Sequence, residues 1–240
     1  SIAPEGNVDF RGKDPRTERQ DIDSVLVSLV NNELFDAWKV LDRILSRDPE
    51  NADAMHLAGV VCYRHGELDH AETLLQKAVN LAPRAEYHNS FGHLCSQMGQ
   101  KVKAKEHFEI ATRRDPKMAV AFFNLGNCAL DEGNIEDAMM SYDQALEREP
   151  QYFKALVNLS HCQLEKGKLL WARKSLQQAT KLRYKSVKSW FYLGNVYLKL
   201  QFIEEAKETF NRCLYITDNK HSPSYGKLGV VNLLQGKLIH

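Results

Sequence analysis

A repeat of about 34 residues constrains this chain more than any other feature of its sequence. When the chain is aligned on a small residue that recurs within apolar segments, seven positions fall 33 to 35 residues apart. They are Val25, Gly59, Gly92, Gly126, Ser160, Gly194 and Gly229. A chain made of so many copies of one short unit predicts a repeat architecture, in which each copy packs against its neighbours.

Each unit reads as two short amphipathic helices, and residues 119–150 show the pattern clearly. Apolar residues recur at helical spacing on both sides of a turn at Gly133 and Asn134. In the first helix they are Phe122, Leu125 and Ala129, and in the second they are Ala138, Tyr142 and Ala145. A helix pair of this size cannot bury its apolar faces alone, so it needs a copy on each side.

The second half of the unit is as regular as the first. An alanine stands twelve residues after the small residue in each of the first six units, and a larger apolar residue follows four positions later. The alanines are Ala37, Ala71, Ala104, Ala138, Ala172 and Ala206, and the larger residues are Leu41, Leu75, Phe108, Tyr142, Leu176 and Phe210. Small residues let two helix backbones approach closely, and the larger ones fill the remaining space.

Turn residues fall at matching places. Gly66, Gly99, Gly133 and Gly167 are predicted to end first helices, because glycine takes positive φ at little cost. Prolines follow four of the predicted second helices and stop them from running on. They are Pro49, Pro83, Pro116 and Pro150.

These residues resemble the tetratricopeptide repeat (TPR) family, whose 34-residue unit has the pattern W-x2-L-G-x2-Y…A…F…A…P. The best single match is Trp190-x2-Leu193-Gly194-x2-Tyr197, followed by Ala206 and Phe210. The resemblance implies an all-α, right-handed α-solenoid of antiparallel helix pairs. We expect a flexible leader over 1–17 and a solenoid over 18–240, with about six units and a terminal half unit. The units are predicted to start near residues 18, 52, 85, 119, 153, 187 and 222.

The last unit departs from the pattern. It begins near Ser222 and supplies only a first helix before the sequence stops at His240. We expect either a fragment of a longer protein or a final helix that caps the array. An uncovered apolar face on this half unit could also support self-association.

Composition excludes several classes of protein. The formal net charge is +1, which argues against a nucleic-acid-binding chain that is basic throughout. No apolar run approaches the ~20 residues of a membrane-spanning helix, and residues 1–21 lack a signal-peptide core. The five cysteines are predicted to be buried, reduced thiols, with disulfides or a metal site as the alternatives. We therefore expect a cytoplasmic or otherwise intracellular protein.

No catalytic motif is found in the sequence. His65 and His70, like His88 and His93, are five residues apart, which is the wrong spacing for two metal ligands on one helical face. His161 and Cys162 are adjacent and point in different directions on a helix, so they cannot form a nucleophile–base pair. The sequence predicts no catalytic residues, no metal, no cofactor and no enzymatic activity.

The resemblance places a peptide-binding groove along the first helices. In the TPR family the second, fifth, sixth, ninth, twelfth and thirteenth positions of each first helix face the concave side. At such positions this chain has amides, aromatic and apolar residues, histidines and two lysines. They are Asn89, His93, Phe123, Asn124, Asn127, Lys154, Val157, Asn158, His161, Lys188, Phe191, Tyr192 and Asn195. Carboxamides offer both donors and an acceptor, which suits an extended peptide backbone, although each asparagine could instead bond within the fold.

Two precedents within the family match in part. Asn124 and Asn158 resemble the asparagine ladder in the TPR superhelix of O-linked N-acetylglucosamine transferases, while Ser90 and Tyr192 interrupt that ladder. The carboxylate clamp of chaperone-binding TPR domains is matched at Asn127, Asn158 and Lys188. It is lost at Phe123 and Tyr192, where basic residues would be needed.

The predicted function is a protein–protein interaction scaffold that binds an extended peptide segment of a partner in the groove. Two alternatives stay open: a substrate-recruiting arm of a larger enzyme whose catalytic domain lies outside this chain, and an architectural self-assembly module. A protein or peptide partner is expected, and no small-molecule substrate.

Charge is distributed unevenly between two adjacent units. Residues 131–149 contain seven acids and one base, whereas residues 153–188 contain nine bases and one acid. We expect these segments to attract each other across neighbouring units. The alternative is that the basic segment is a docking patch for an anionic partner, including nucleic acid or an acidic membrane.

Overall fold

The computed structural model describes residues 15–238, and the side chains of residues 19–236. Helices account for nearly all of this range, and the described residues contain no β-strand. The first helices of the pairs are α1 (Pro15–Val30), α3 (Ala52–His65), α5 (Ala85–Gln97), α7 (Ala119–Asp131), α9 (Phe153–Glu165) and α11 (Val187–Lys199). The second helices are α2 (Leu34–Arg47), α4 (Leu68–Leu81), α6 (Lys101–Arg114), α8 (Ile135–Arg148), α10 (Leu169–Leu182) and α12 (Ile203–Ile216). A last helix, α13 (Ser222–Leu238), has no second helix after it within the described residues.

The predicted all-α solenoid of helix pairs is confirmed. Six pairs are followed by the single helix α13. The expected leader lies mostly at residues 1–14, outside the described residues. Residues 15–17, which were assigned to that leader, instead begin α1, and Pro15 suits the first position of a helix because its missing N–H has no partner there.

The chain divides into two compact units, with the boundary between Pro116 and Lys117. In the first unit, helices α1 to α6 pack in chain order, each against the next. In the second unit, α7 to α13 do the same. Contacts between consecutive helices explain why a short repeat can build a stable core from local sequence alone.

The alanines of the second helices lie in the core of each pair. All six, from Ala37 to Ala206, are completely buried. The larger residue four positions later is also buried in every pair, and in the four pairs whose first helix has a glycine at the repeated position it lies against that glycine. In the second unit, for example, Tyr142 of α8 covers Gly126 of α7 so closely that a Cβ at Gly126 would lie 2.5 Å from the ring.

The predicted turn glycines adopt the left-handed conformation that their position requires. Gly66, Gly99, Gly133 and Gly167 have φ between 69° and 93°. In the other two pairs Asn32 and Gln201 stand at the same turn position, and each has a φ of 62°. Asparagine tolerates this conformation through its short polar side chain, whereas glutamine gains no such compensation.

Helix ends are set by the residues that the sequence suggested. The four second helices that precede a proline end two residues before it, at Arg47, Leu81, Arg114 and Arg148. Some first turns are also capped by side chains. The Oδ1 of Asn134 accepts a hydrogen bond from the backbone N–H of Asp137, and this bond satisfies one free donor at the start of α8.

Candidate functional site

Two predicted groove asparagines are joined in a hydrogen-bond network in the second unit. The hydroxyl of Tyr142 donates to Asn127 Oδ1 over 2.8 Å, and Asn158 Nδ2 donates to the same oxygen over 3.0 Å. Asn158 Nδ2 also lies 3.3 Å from the Tyr142 hydroxyl oxygen, which accepts from it. Because Asn127 belongs to α7, Tyr142 to α8 and Asn158 to α9, the network ties three helices together.

Burial keeps Tyr142 in its neutral form. Desolvation raises the pKa of its hydroxyl far above the usual value near 10. The hydroxyl is therefore a permanent hydrogen-bond donor at physiological pH. In the structure this hydroxyl donates to the amide oxygen of Asn127.

The network uses only half of each amide. Asn127 contributes its oxygen and Asn158 its nitrogen, so Asn127 Nδ2 and Asn158 Oδ1 make no hydrogen bond with the described part of the chain. Neither of these atoms is among the fully buried polar atoms that lack a partner. Asn127 Nδ2 on α7 and Asn158 Oδ1 on α9 are therefore a donor and an acceptor without a partner among the described residues. The hydrogen bonds to the other ends of the two amides orient both side chains.

Three other predicted groove residues lie mostly in the core. Asn124 is 8% exposed and Phe123 is 9% exposed. The Phe123 ring packs against Tyr142 and Tyr152, with centroids 5.7 and 5.1 Å apart. Val157 is buried beside Leu156. Of the apolar residues predicted for the groove, Phe123 and Val157 are therefore packing residues of α7 and α9.

A second cluster of predicted residues lies between α9 and α11. The His161 ring meets the Tyr192 ring edge-on at 6.3 Å, and the ammonium group of Lys188 lies 5.8 Å from the same ring. His161 Nδ1 is also 3.5 Å from a carboxylate oxygen of Glu165. Tyr192, which breaks the predicted asparagine ladder, is half-buried and joins the exposed histidine and lysine in one polar and aromatic patch.

The remaining predicted residues of the second unit differ in exposure. Phe191 is half-buried against Phe210 and His221. Asn195 is half-buried, and its side chain makes no hydrogen bond within the described residues. Lys154 is exposed and forms no ion pair with them. Asn195 and Lys154 are therefore free to contact a ligand.

Only two predicted residues belong to the first unit. Asn89 is half-buried, and His93 is exposed with its ring edge-on to Tyr63 at 5.3 Å. The predictions missed a more extensive polar cluster on the same helices, in which Asp53 accepts hydrogen bonds from Tyr87 and Arg84. The signal for it in the sequence is the acidic residue at the second position of α3.

A buried histidine pair also lies in the first unit. His88 Nδ1 is 2.9 Å from His107 Nδ1, and His88 Nε2 is fully buried without a hydrogen-bond partner among the described residues. Burial, with smaller effects from His107 and Arg114, lowers the pKa of His88 to about 4. Burial also lowers the pKa of His107, so both rings are neutral at pH 7.

The first unit also contains a cavity of about 600 Å³ that was not predicted from the sequence. Leu34, Phe35 and Trp38 of α2 and Leu74 of α4 are among the residues that line it. Phe35 is 71% exposed, an unusual position for a large aromatic side chain. Glu67 lies at this cavity and is bonded by His65 and His70, each with a nitrogen 3.1 Å from its carboxylate.

The uneven charge distribution has a structural counterpart. Lys166, in the loop before α10, forms an ion pair with Glu136 at the start of α8. This contact and the nearby Lys168 lower the pKa of the Glu136 carboxyl. At this point the acidic and basic segments attract each other across neighbouring pairs, as the sequence predicted.

Four of the cysteines are buried, as predicted, and Cys128 is half-buried. Desolvation raises the pKa of the Cys162 thiol to about 11, so it is neutral at pH 7. Within the described range no cluster of three or more histidine, cysteine or acidic side chains could hold a metal ion. None of the helices described is long and apolar enough to cross a membrane.

Sequence comparison identifies the family. Models described as tetratricopeptide repeat match residues 35–90, 85–118, 119–152 and 187–220, which is well over half of the chain. The chain belongs to the tetratricopeptide repeat family. A curated relative, Tetratricopeptide repeat protein 6 of Homo sapiens, is 30% identical over 91 residues. That match covers 38% of this chain and 18% of the human protein, so the chain spans only a small part of that relative's length.

Solved TPR structures share the fold. PilF of Pseudomonas aeruginosa is similar with a TM-score of 0.79 and 17% identity, over 88% of this chain and 96% of that one. YrrB, described as a TPR protein with an unusual peptide-binding site, has a TM-score of 0.64 and 19% identity. The match covers 78% of this chain and 96% of YrrB. The structure of Cut9 with Hcn1, from the APC/C, has a TM-score of 0.71 and 18% identity, and the match covers 88% of this chain and 42% of that chain. At these identities the likeness concerns the fold alone.

Proposed function

We propose that this TPR chain is a non-catalytic scaffold that holds an extended peptide of a protein partner against α7, α9 and α11. TPR folds are generally protein–protein interaction scaffolds, and YrrB is a relative in fold whose description includes a peptide-binding site. The proposal for this chain rests on its own side chains. An intracellular location stays a prediction.

The proposal rests on the amides of Asn127 and Asn158, each of which has one polar atom bonded within the fold and one without a partner among the described residues. A peptide backbone offers a carbonyl oxygen and an N–H group in alternation. Asn127 Nδ2 can donate to a peptide carbonyl, and Asn158 Oδ1 can accept from a peptide N–H. Because Tyr142 and the Asn127–Asn158 bond already orient both amides, little side-chain freedom is lost on binding.

The surrounding residues favour a particular peptide. The polar and aromatic patch of His161, Lys188 and Tyr192 lies on α9 and α11, and Lys154 is exposed on α9. Two lysines and an aromatic ring suit an acidic side chain or a terminal carboxylate beside an apolar or cationic group. We therefore expect the bound segment to carry negative charge.

The test uses Asn127→Asp in the full chain. An aspartate keeps the oxygen that accepts from Tyr142 and Asn158, but it lacks the Nδ2 donor that the proposal assigns to the peptide. Peptides are selected from a displayed library against the wild-type chain, and their affinities are then measured for both proteins. Loss of one backbone hydrogen bond, with a carboxylate now facing a carbonyl, should weaken binding by about tenfold.

Asn211→Asp is the matched control, because this exposed asparagine of α12 receives the same change of charge outside the proposed site. Its affinity should equal that of the wild-type chain, and both variants should keep the wild-type helical content. Equal affinity of the Asn127 variant for every selected peptide would show that the two amides do not form the site.

A further inference from the structure

The cavity of about 600 Å³ in the first unit lies at a place that recurs in the repeat. It is lined by the second helices α2 and α4 and by the last residues of α3 between them. The second unit has a cavity of about 440 Å³ at the corresponding place, lined by α8 and by the loop before α10. The two cavities share a position in the repeat but differ in their chemistry.

A salt bridge lies at the cavity beside α8, where the Lys166 ammonium group pairs with the Glu136 carboxylate. The corresponding residues of the first unit are found by counting back from the repeat alanine of the second helix. Phe35 stands two residues before it, like Glu136, and His65 stands six residues before it, like Lys166. Phe35 is 71% exposed. An exposed aromatic ring therefore replaces one partner of the salt bridge at the mouth of the first cavity.

The walls of the first cavity are apolar as well. Leu34 and Trp38 of α2, Val61 of α3 and Leu74 of α4 are among the residues that line it. Part of the Trp38 ring is also exposed to water. Its volume lies within the range of roughly 300–1,000 Å³ that is typical of ligand pockets, so it has room for an indole ring. The cavity therefore suits a large apolar side chain.

Glu67 gives this cavity a negative charge. Its two carboxylate oxygens each lie 3.1 Å from a ring nitrogen, one of His70 and one of His65. These hydrogen bonds lower the pKa of the Glu67 carboxyl, so it is ionised at pH 7. Each oxygen uses one lone pair toward a histidine and keeps another for a cation. On α2 the ammonium group of Lys39 lies 3.6 Å from the Asp36 carboxylate, so these two charges offset each other.

The second unit carries a surface of complementary character at the start of α10. Leu170 and Trp171 are 60% and 63% exposed. Lys174 lies on the same face of the helix, because it follows them by four and three residues, and its ammonium group is 6.0 Å from the Trp171 ring. Lys168, just before α10, is exposed too. These four residues form the α10 patch, in which two large apolar side chains lie beside positive charges.

We propose that the chain associates with a second copy of itself, with the α10 patch of one copy seated in the first-unit cavity of the other. The Trp171 ring packs against Trp38 in the cavity, and the Lys174 ammonium group donates to the open lone pairs of the Glu67 carboxylate. One contact then covers two exposed apolar surfaces and pairs opposite charges. It does not use the amides of the proposed peptide site, so it is independent of that proposal.

A protein surface fits this cavity better than a small molecule does. Phe35 lines the cavity and is nevertheless mostly exposed, so a ligand confined to the cavity leaves much of that ring in water. A helix that inserts one side chain and lies across the mouth covers the ring as well. The α10 patch supplies such a helix, and its positive charge matches Glu67. Because the two surfaces differ, the contact between copies is heterologous.

Sedimentation equilibrium of the full chain, from micromolar to millimolar concentration, measures the association. The wild-type chain should associate in a concentration-dependent way. Trp171→Ala should weaken the association by about tenfold or more, because the largest apolar side chain of the contact is removed. Tyr215→Ala is the matched control, since it removes an aromatic ring of α12 that is 73% exposed and lies outside both surfaces. This control should associate like the wild-type chain.

Charge reversal tests the pairing of Glu67 with Lys174. Glu67→Lys and Lys174→Glu should each weaken the association by about tenfold or more, because like charges then face each other. The double variant should regain most of the wild-type affinity. Glu106→Lys, at an exposed position of α6, is the control and should have no effect. Circular dichroism checks that every variant keeps the wild-type helical content.

A mixing experiment tests whether the contact is heterologous. Glu67→Lys impairs the cavity and leaves the α10 patch intact, whereas Trp171→Ala impairs the patch and leaves the cavity intact. Each variant alone should be largely monomeric, and an equimolar mixture of the two should associate. A mixture that stays monomeric under conditions in which the wild-type chain associates would reject the proposed pairing of surfaces.

Other outcomes assign the cavity differently. A wild-type chain that is monomeric at every concentration would overturn the proposal, as would an association that Trp171→Ala leaves unchanged. A peptide with the sequence of residues 168–182 that protects α2 and α4 from hydrogen exchange in a monomeric chain would assign the cavity to a segment of another protein. Association that appears only after removal of residues 1–14, which lie outside the described residues, would assign the cavity to those residues and reject the second copy.

Discussion

Gly126→Ala is the substitution whose effect follows most directly from the packing. The new Cβ would lie 2.5 Å from one ring carbon of Tyr142 and 2.7 Å from another, so the ring must move. Overpacking of this kind costs about 1–3 kcal/mol. The ring also carries the hydroxyl that donates to Asn127, and a weakened hydrogen bond adds about 1 kcal/mol. Against this, alanine is favoured over glycine inside a helix by about 1 kcal/mol. The expected net loss of stability is about 2 kcal/mol.

Gly229→Ala is the internal control, since it makes the same change at the same repeat position without a covering residue. Its Cβ would meet nothing within 4 Å in the described residues, so only the helix preference remains. The control should stabilise α13 by up to about 1 kcal/mol.

Hydrogen exchange measured on each variant reports the stability of the helix that carries the change, which suits a repeat protein whose ends open separately. Protection in α7 and α8 should fall roughly 30-fold in Gly126→Ala, because a tenfold change corresponds to about 1.4 kcal/mol. Protection in α13 should rise in Gly229→Ala. Equal changes of the same sign in the two variants would refute the packing argument.

Two further predictions concern a turn and the histidines of the first unit. Gln201 has a φ of 62°, a conformation that costs a residue with a side chain about 1–2 kcal/mol. Gln201→Gly should therefore raise the stability of α11 and α12, measured by hydrogen exchange, by about 1 kcal/mol. Gln201→Ala should not raise it. Burial lowers the pKa of both His56 and His88 from 6.5 to about 4, so the unfolded chain binds more protons than the folded chain between these values. The first unit should therefore lose stability as the pH falls from about 6.5 to about 4, by up to about 1.4 kcal/mol per pH unit for each histidine. Urea unfolding at several pH values in this range gives the free energy of unfolding as a function of pH. This free energy should fall less steeply with decreasing pH in His88→Leu than in the wild-type chain. An equal pH dependence in the two proteins would contradict the lowered pKa of His88.

Much of the fold could be predicted from the sequence because the information that specifies it is local. The spacing of Gly126, Ala138 and Tyr142 sets a helix, a turn and a second helix, and the same spacing recurs along the chain. Turn glycines and prolines mark the helix ends by their own backbone preferences, without help from distant residues. The structure added Gln201, since a positive φ without glycine leaves no signal in composition.

The candidate site was harder to predict, because a repeat position tells which helix face a residue occupies but not what it bonds. The resemblance assigned Asn124, Asn127 and Asn158 equally to the groove. In the structure Asn124 is buried, while Asn127 and Asn158 share a network with Tyr142 that leaves one open atom on each. A triple alanine substitution would therefore disturb the core together with the surface, and Asn127→Asp is the sharper test.

The sequence by itself determined the helix pairs, their order and the close contact of small and large residues, because each depends on residues less than 20 positions apart. Only the tertiary structure decided which polar atoms are used internally, which histidines are neutral and which repeat glycines are covered by a side chain of the next helix. These properties depend on the distance between side chains on different helices. Gly126 and Gly229 occupy the same position in the repeat, but among the described residues only Gly126 has a side chain of another helix lying against it.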